Sequence, residues 1–270
     1  MDRKLLRGFE RVSVPTLEFI AQRQGLRTAL HTVIGNVNAL WIELLTSPTW
    51  EVHDFEPIAQ LDAPQGIIMV SNHRSFFDMF VISTVIQRRT HLLQRVSYPV
   101  RSEFYYTHPL GVVLNVAISG ASMWPPVFRD DRRRRLNPIG MDQLAATLHR
   151  GMGIGLHPEG TRNKGSDPYT FLPLKPGLGQ LLTRVHPDTV VLPAFIAGLS
   201  NDVATEVVRN RKPPGQRGEP VRIRYAKPLL ARDLQVLGDD PMVLTEAAFA
   251  PVSALAEVDR QDRAGHPRML

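Results

Sequence analysis

No cysteine occurs anywhere in these 270 residues. That removes disulfides, thiol nucleophiles and cysteine-held zinc from consideration, and it leaves the redox compartment open. Lysine is scarce too, present only at 4, 164, 175, 212 and 227, although Lys and Arg together number 32 against 26 Asp and Glu. The formal charge of +6 and the pI near 10.0 are therefore carried mainly by arginine. Arginine grips oxyanions through a planar fork and stays charged at every working pH. A basic surface of this kind attracts nucleic acid, anionic lipid or phosphorylated substrates alike. Long hydrophobic runs are also missing. The longest weakly polar stretch, about 110–127, is broken by Asn115, by glycine and by Pro125-Pro126, so no membrane span is expected. The segment Met1-Asp2-Arg3-Lys4-Leu5-Leu6-Arg7 leads into no apolar core of a signal peptide, so secretion is not expected and an intracellular protein is.

Several catalytic signatures fail as well. Gly120-Ala121-Ser122-Met123-Trp124 lacks the final glycine of a serine-hydrolase elbow. Gly151-Met152-Gly153-Ile154-Gly155 lacks the third spacing of a dinucleotide fingerprint. His157-Pro158-Glu159 has no cysteines to complete a deaminase zinc site, and no metal is expected. No familiar nucleic-acid motif accompanies the Arg132–Arg135 run, so nucleic acid is not an expected partner and the run reads as a solvated face. A basic binding protein for nucleic acid or membrane stays open as the rival to an enzyme.

What is present is an ordinary folding composition, 43% hydrophobic and 21% charged, at a length that suits one α/β core with additions. Residues 1–48 read as two helices parted near Gly25. Leu5, Leu6, Phe9, Val12, Leu17 and Ile20 lie among basic residues in the first. Leu30, Val33, Ile34, Val37, Leu40, Trp41, Leu44 and Leu45 follow helical spacing in the second, which Pro48 stops. Such an amphipathic pair fits a membrane interface, the alternative being packing on the protein's own core. From Trp50 the pattern changes to short strands alternating with helices. Strands are expected over 51–58, 67–71, 92–97, 111–118, 153–157, 190–197 and 221–226, and helices over 76–87, 137–148, 177–185 and 244–257. The segment 210–220 reads as a loop and the tail after Asp259 as frayed. The fold class is α/β, a mixed but largely parallel sheet flanked by helices and preceded by the N-terminal helix pair. The division is 1–48, a membrane-associating segment; 49–230, the α/β domain; and 231–270, a helix and tail.

Two polar clusters carry the chemistry. Asn72-His73-Arg74-Ser75-Phe76-Phe77-Asp78 follows an apolar run, Ile67-Ile68-Met69-Val70. Inside one continuous helix, a five-residue step would turn Asp78 about 140° away from His73. The pair can meet only if His73 sits in a strand-to-helix loop and Asp78 in the first helical turn, with Ser75 as the cap. The carboxylate would then hold one imidazole nitrogen and turn the other toward a substrate hydroxyl. Equally, Ser75 to Asp78 spells a capping box, in which Asp78 satisfies only backbone N–H groups. The second cluster, His157-Pro158-Glu159-Gly160-Thr161-Arg162, offers an acid, a flexible glycine, a hydroxyl and an arginine after a strand, a credible phosphate cradle. Between them, Arg129 closes the apolar stretch Pro126-Val127-Phe128.

In order and approximate spacing, Asn72-His73-x-x-x-x-Asp78, Arg129, Pro158-Glu159-Gly160-Thr161-Arg162 and Leu192-Pro193-Ala194 resemble the four blocks of the glycerolipid acyltransferases, in particular the 1-acylglycerol-3-phosphate acyltransferases. The resemblance spans about 50–228. It implies His73 as general base with Asp78 as its partner, Asn72, Arg129, Glu159, Gly160, Thr161 and Arg162 at the acceptor's phosphate-glycerol end, and Pro193 in the site's apolar wall. It also implies acyl-CoA or acyl carrier protein as co-substrate with no other cofactor, a lysophospholipid acceptor, and a peripheral or monotopic place on the anionic cytoplasmic face of the cell membrane. This chain departs from the family pattern at His157, where an aromatic is usual, at Phe128, where an acid is common, and at Leu192, where valine is usual.

Overall fold

In a computed structural model that describes residues 2–92 and 95–265, the chain builds a seven-stranded sheet flanked by helices. The strands are β1 (Trp50–His53), β2 (Ile67–Ser71), β3 (Val96–Ser97), β4 (Val100–Arg101), β5 (Pro126–Val127), β6 (Gly153–Leu156), β7 (Val190–Ala197), β8 (Val221–Tyr225) and β9 (Leu229–Leu230). Their order is β1-β8-β7-β2-β6-β3, with β9 added to β7, while β4 and β5 form a separate parallel pair. Pairings β2–β6, β2–β7, β3–β6 and β1–β8 are parallel; β7 runs antiparallel to β8 and β9. The sheet is therefore mixed and mostly parallel.

The centre of the sheet shows why the apolar runs in the sequence are continuous rather than alternating. Ile68 and Val70 enter one core with Leu148, Leu181, Phe195, Leu244 and Val252. Ile67 and Met69 enter the other, with Ile82, Ile86, Leu192, Ile196 and Tyr225. Both faces are covered, so both sets of side chains must be apolar. A third, smaller core gathers Leu6, Val14, Leu17, Tyr106, Trp124 and Phe128 beneath the first N-terminal helix.

The N-terminal region forms a helix at Glu10–Gln22 and a second helical run from Gln24 to Thr46, with a π-helical stretch at His31–Gly35. The break falls at the extended Arg23 rather than at Gly25. Ile42 packs in the core beside the helix Asp78–Arg89, and Arg88 pairs with Glu43 at 2.9 Å. Val33, Val37, Leu40 and Leu44, spaced like one helical face, are exposed.

Several expectations are corrected. The segment 111–118 is not a strand but the middle of a helix, Pro109–Ser119. Its valines are outweighed by its ends: Pro109 opens it, the His108 side chain accepts from Leu110 N–H, and Gly120 closes it in the left-handed conformation at φ 58°. The strand expected over 51–58 stops at His53, and the helix Glu56–Ala59 follows. Of the strand expected over 92–97, Val96–Ser97 is extended, while 93–94 lie outside the described residues. The stretch after Asp259 continues as helix to Gly265, tied down because Arg224 holds Asp259 and Asp262 and Arg263 holds Glu219. The loop expected over 210–220 begins only after Arg211, because a helix, Val203–Arg211, capped by Asp202 on Ala204 and Thr205 N–H, takes its first two residues. Arg133 leaves the arginine run and turns inward, 7% exposed, to bind the buried Glu10 as well as Asp130. It thereby ties the first helix to the domain.

By length and composition one helix among the described residues, Pro241–Gly265, is apolar enough to cross a membrane. Its Leu244, Ala248, Phe249 and Val252 are buried in the main core.

Candidate active site

Strands β2, β3, β6 and β7 all end at one edge of the sheet, and that is where both polar clusters emerge. Crevices outside the carboxyl ends of parallel strands are the usual ligand sites of such sheets. The first residue beyond β2, Asn72, is 1% exposed. Its amide donates to the Ile196 carbonyl at 2.8 Å and accepts from Ile196 N–H at 2.9 Å. Asn72, expected at the substrate, thus staples β2 to β7, with both ends of its amide engaged.

His73 lies in the loop and Asp78 is the first residue of the helix Asp78–Arg89. Asp78 Oδ2 accepts from Arg74 N–H and Ser75 N–H, each at 2.6 Å, and lies 3.4 Å from His73 Nδ1. Phe77 N–H reaches Ser75 Oγ at 3.2 Å. The capping and catalytic readings are therefore not rivals. One buried carboxylate closes the turn and, by closing it, brings the imidazole alongside. The His73–Asp78 contact is long for a hydrogen bond, as such contacts often are before substrate arrives.

The second cluster leaves β6 directly beside the first. The His157 ring lies flat on the His73 ring, with centroids 3.9 Å apart and planes 6° from parallel. Its Nδ1 lies 3.1 Å from Ser71 Oγ and 3.2 Å from the Ser71 carbonyl. Glu159, 1% exposed, accepts from His73 N–H at 2.6 Å through one oxygen and from Leu172 N–H at 2.7 Å through the other. Asn163 N–H donates to the His73 carbonyl at 2.7 Å. Glu159, expected at the acceptor, therefore clamps the two clusters together through both of its oxygens. Gly160 takes a positive φ of 65°, a conformation that favours glycine, and turns its carbonyl toward two guanidinium groups, Arg129 at 2.6 Å and Arg101 at 3.2 Å. Arg162 donates to Asn201 at 2.9 Å at the exposed rim of the site.

A cleft of about 320 Å³ opens over the histidines. Phe76, Met79, Phe80, Tyr98 and Met123 give it an apolar wall; Arg101, Thr161 and Arg162 give it a cationic one. Gly155 in β6 is part of the apolar wall because a side chain there would run into Met79 and Tyr98, whose Cδ1 would lie 2.8 Å from a Cβ. Pro193, expected in that wall, is buried within β7 opposite Val70 and does not line the cleft. The cleft thus has one apolar wall and one cationic wall.

Charge states follow from burial. His73 is pushed down to about 4, first by burial and then by the Arg162 and Arg101 charges. His157 is pushed down to about 3, again mainly by burial. Burial raises Asp78 to about 6, against the Ser75 and Arg74 N–H groups that favour its anion. At neutral pH the two imidazoles are therefore neutral and Asp78 is a carboxylate. A neutral imidazole beside a carboxylate is equipped to accept a proton and to be stabilised once it has done so.

Arg101, Tyr98 and Phe80 are site residues that the sequence motifs do not single out. A signal for Arg101 existed: Pro99-Val100-Arg101 repeats the apolar-then-arginine pattern that marks Arg129, and the two segments pair as β4 and β5. The two guanidinium groups reach Gly160 from the end of β4 and from just beyond its partner β5.

A family model described as Acyltransferase matches residues 50–197, from the start of β1 to the end of β7, and so includes His73, Asp78, Arg129 and the His157–Arg162 cluster. By that match, over more than half its length, this chain belongs to the family of glycerolipid acyltransferases.

Proposed function

We propose that the protein moves a fatty acyl group from an acyl thioester, acyl-CoA or acyl carrier protein, to the hydroxyl of a lysophospholipid such as 1-acylglycerol-3-phosphate, a step of phospholipid biosynthesis. The observation that carries this reading is the placement of a neutral His73, backed by Asp78, in a cleft with one apolar and one arginine-lined wall. An acyl chain suits the first wall and a phosphate the second.

In the proposed reaction the acceptor hydroxyl oxygen attacks the thioester carbonyl while His73 takes the hydroxyl proton. Asp78 stabilises the imidazolium. As the carbon–sulfur bond breaks, the thiolate leaves and takes the proton from His73, giving ester and free thiol. No covalent enzyme intermediate is needed, because the thioester is already activated. Arg101, Arg129 and Arg162 hold the acceptor's phosphate, with Thr161 beside them.

The exposed Val33, Val37, Leu40 and Leu44 would rest on the surface of an anionic membrane, which delivers the lipid acceptor to a cytoplasmic, peripheral enzyme. The test is incubation of purified protein with a labelled acyl-CoA and a panel of lipid acceptors, followed by product identification. Ester formed on phosphate-bearing acceptors supports the reading; ester formed equally well on uncharged lipid alcohols defeats the phosphate assignment.

A further inference from the structure

Neither the proposed reaction nor the block pattern gives His157 a task, yet its ring lies flat against the base. His73 is loosely held at its ring edge: Asp78 Oδ2 is 3.4 Å from Nδ1, and that oxygen already serves Arg74 and Ser75 N–H at 2.6 Å. A contact so long leaves an imidazole free to rotate about its Cβ–Cγ bond. The stronger restraint lies on the ring's face, where His157 sits at 3.9 Å and 6°. His157 is itself anchored, with Nδ1 between the hydroxyl and the carbonyl of Ser71, a residue that is fully buried at the end of β2.

We propose that His157 is a positioning residue, whose planar ring, pinned by Ser71, fixes the plane and tautomer of His73 so that Nδ1 stays on Asp78 and Nε2 stays on the acceptor hydroxyl. The inference rests on the role proposed for His73. What matters in it is the flat face, since the contact is ring on ring; the nitrogen of His157 only anchors that face. Other groups around the stacked pair are Asp78 from the helix start, Glu159 on the His73 backbone, and the Arg162 and Arg101 charges that act on His73. With those cations so near, a neutral ring beneath His73 suits the site and a charged one would oppose the imidazolium formed in the reaction.

The test compares His157→Phe, which keeps a plane, with His157→Leu, which fills space without one. Thermal unfolding of both variants checks that each is folded. In His157→Leu, kcat is expected to fall about tenfold to a hundredfold, the size of effect produced by a misaligned catalytic group, with KM for both substrates unchanged. His157→Phe is expected to restore most of that loss. Nitrogen NMR of labelled histidine gives a readout independent of activity: His73 should show one tautomer, protonated at Nδ1, in the wild type and in His157→Phe, and a mixture in His157→Leu. Equal losses in both variants would overturn the proposal by making the His157 nitrogens themselves essential. So would a loss confined to KM, or a single His73 tautomer in His157→Leu. If the wild type transfers no acyl group while the tautomer pattern holds, the functional reading fails, and what stands is that His157 fixes the His73 ring, without the acceptor.

Discussion

The two halves of the site are built by opposite means. Around His73, the supporting polar groups are tied down: Asp78 to two backbone N–H groups, Glu159 to two more, Asn72 to Ile196, His157 to Ser71. Around Gly160, the arginines are exposed or half-buried and rest on single carbonyl or amide oxygens. The first half is organised before any ligand arrives, as the proton transfer proposed for His73 requires. The second is a loose set of cations that an anion can gather. Damage to the first should appear in kcat and respond to pH; damage to the second should appear in KM and respond to salt.

The largest effect expected is from His73→Ala, which should cut kcat roughly a thousandfold or more while the melting temperature changes little, since the side chain is 19% exposed and bears no fold-critical bond. Steady-state kinetics with calorimetry checks both halves of that statement. Asp78→Asn comes next. Its amide oxygen can still accept from Arg74 and Ser75, so the turn survives, but without the charge kcat should fall about a hundredfold. Asp78→Ala should also unfold at lower temperature, because two buried N–H groups lose their acceptor.

On the other side of the comparison, Arg129→Ala and Arg162→Ala should each raise the acceptor KM roughly tenfold and leave the thioester KM alone. An unchanged acceptor KM in both would return these arginines to the surface. Raising the salt concentration should imitate them weakly, since exposed charges are screened and buried ones are not.

Acid should touch the first half alone. Asp78, with a folded value near 6, loses its charge as the pH falls through 6, and His73 is protonated only near 4. The rate is therefore expected to hold at neutral pH and to decline below 6, with the acceptor KM unaffected over the same range. Stability follows with its own sign. His73 and His157 have folded values below the unfolded 6.5, so they favour the fold below 6.5 least and above it most, withdrawing that support as the pH falls. Asp78, raised above its unfolded 3.8, acts oppositely: its contribution is present below 3.8 and lost as pH rises through 6. The buried His31, also lowered, acts with these two histidines, and Glu159, raised by burial, acts with Asp78; the histidines are the more numerous, so the melting temperature should drop modestly as pH is lowered from 6 toward 4.

Much of this arrangement was legible in the residues, and the reason differs by element. Strands β2 and β7 could be bounded because each is a short apolar run closed by turn residues. The helix Asn137–Leu148 matched its expected range for the converse reason, a Pro at its start and an apolar pattern of helical period. The helix Pro109–Ser119 reads as a strand because its valines and isoleucine favour one locally, while the caps that decide the matter sit at its ends. The His73–Asp78 pair was legible as a possibility, because a five-residue spacing lets the two side chains meet in only one way, but the capping box read equally well until the fold showed both in one carboxylate. For Asn72 and Glu159 the resemblance implies a place at the acceptor, but a polar residue within a motif looks the same whether it faces a ligand or a neighbouring strand; only the fold reveals that Ile196 and Leu172 are hydrogen-bond partners of these side chains. For the same reason the stack of His157 on His73 could not be seen in advance, since it joins residues far apart in the chain through the parallel pairing of β2 and β6.

The most direct test of the account measures ester formation from a labelled acyl thioester and 1-acylglycerol-3-phosphate by wild-type protein and by His73→Ala, with acceptor concentration varied through saturation. The account predicts steady product from the wild type and a kcat lower by at least about a thousandfold in the variant at an unchanged acceptor KM. A folded His73→Ala protein that makes ester at the wild-type kcat would contradict it.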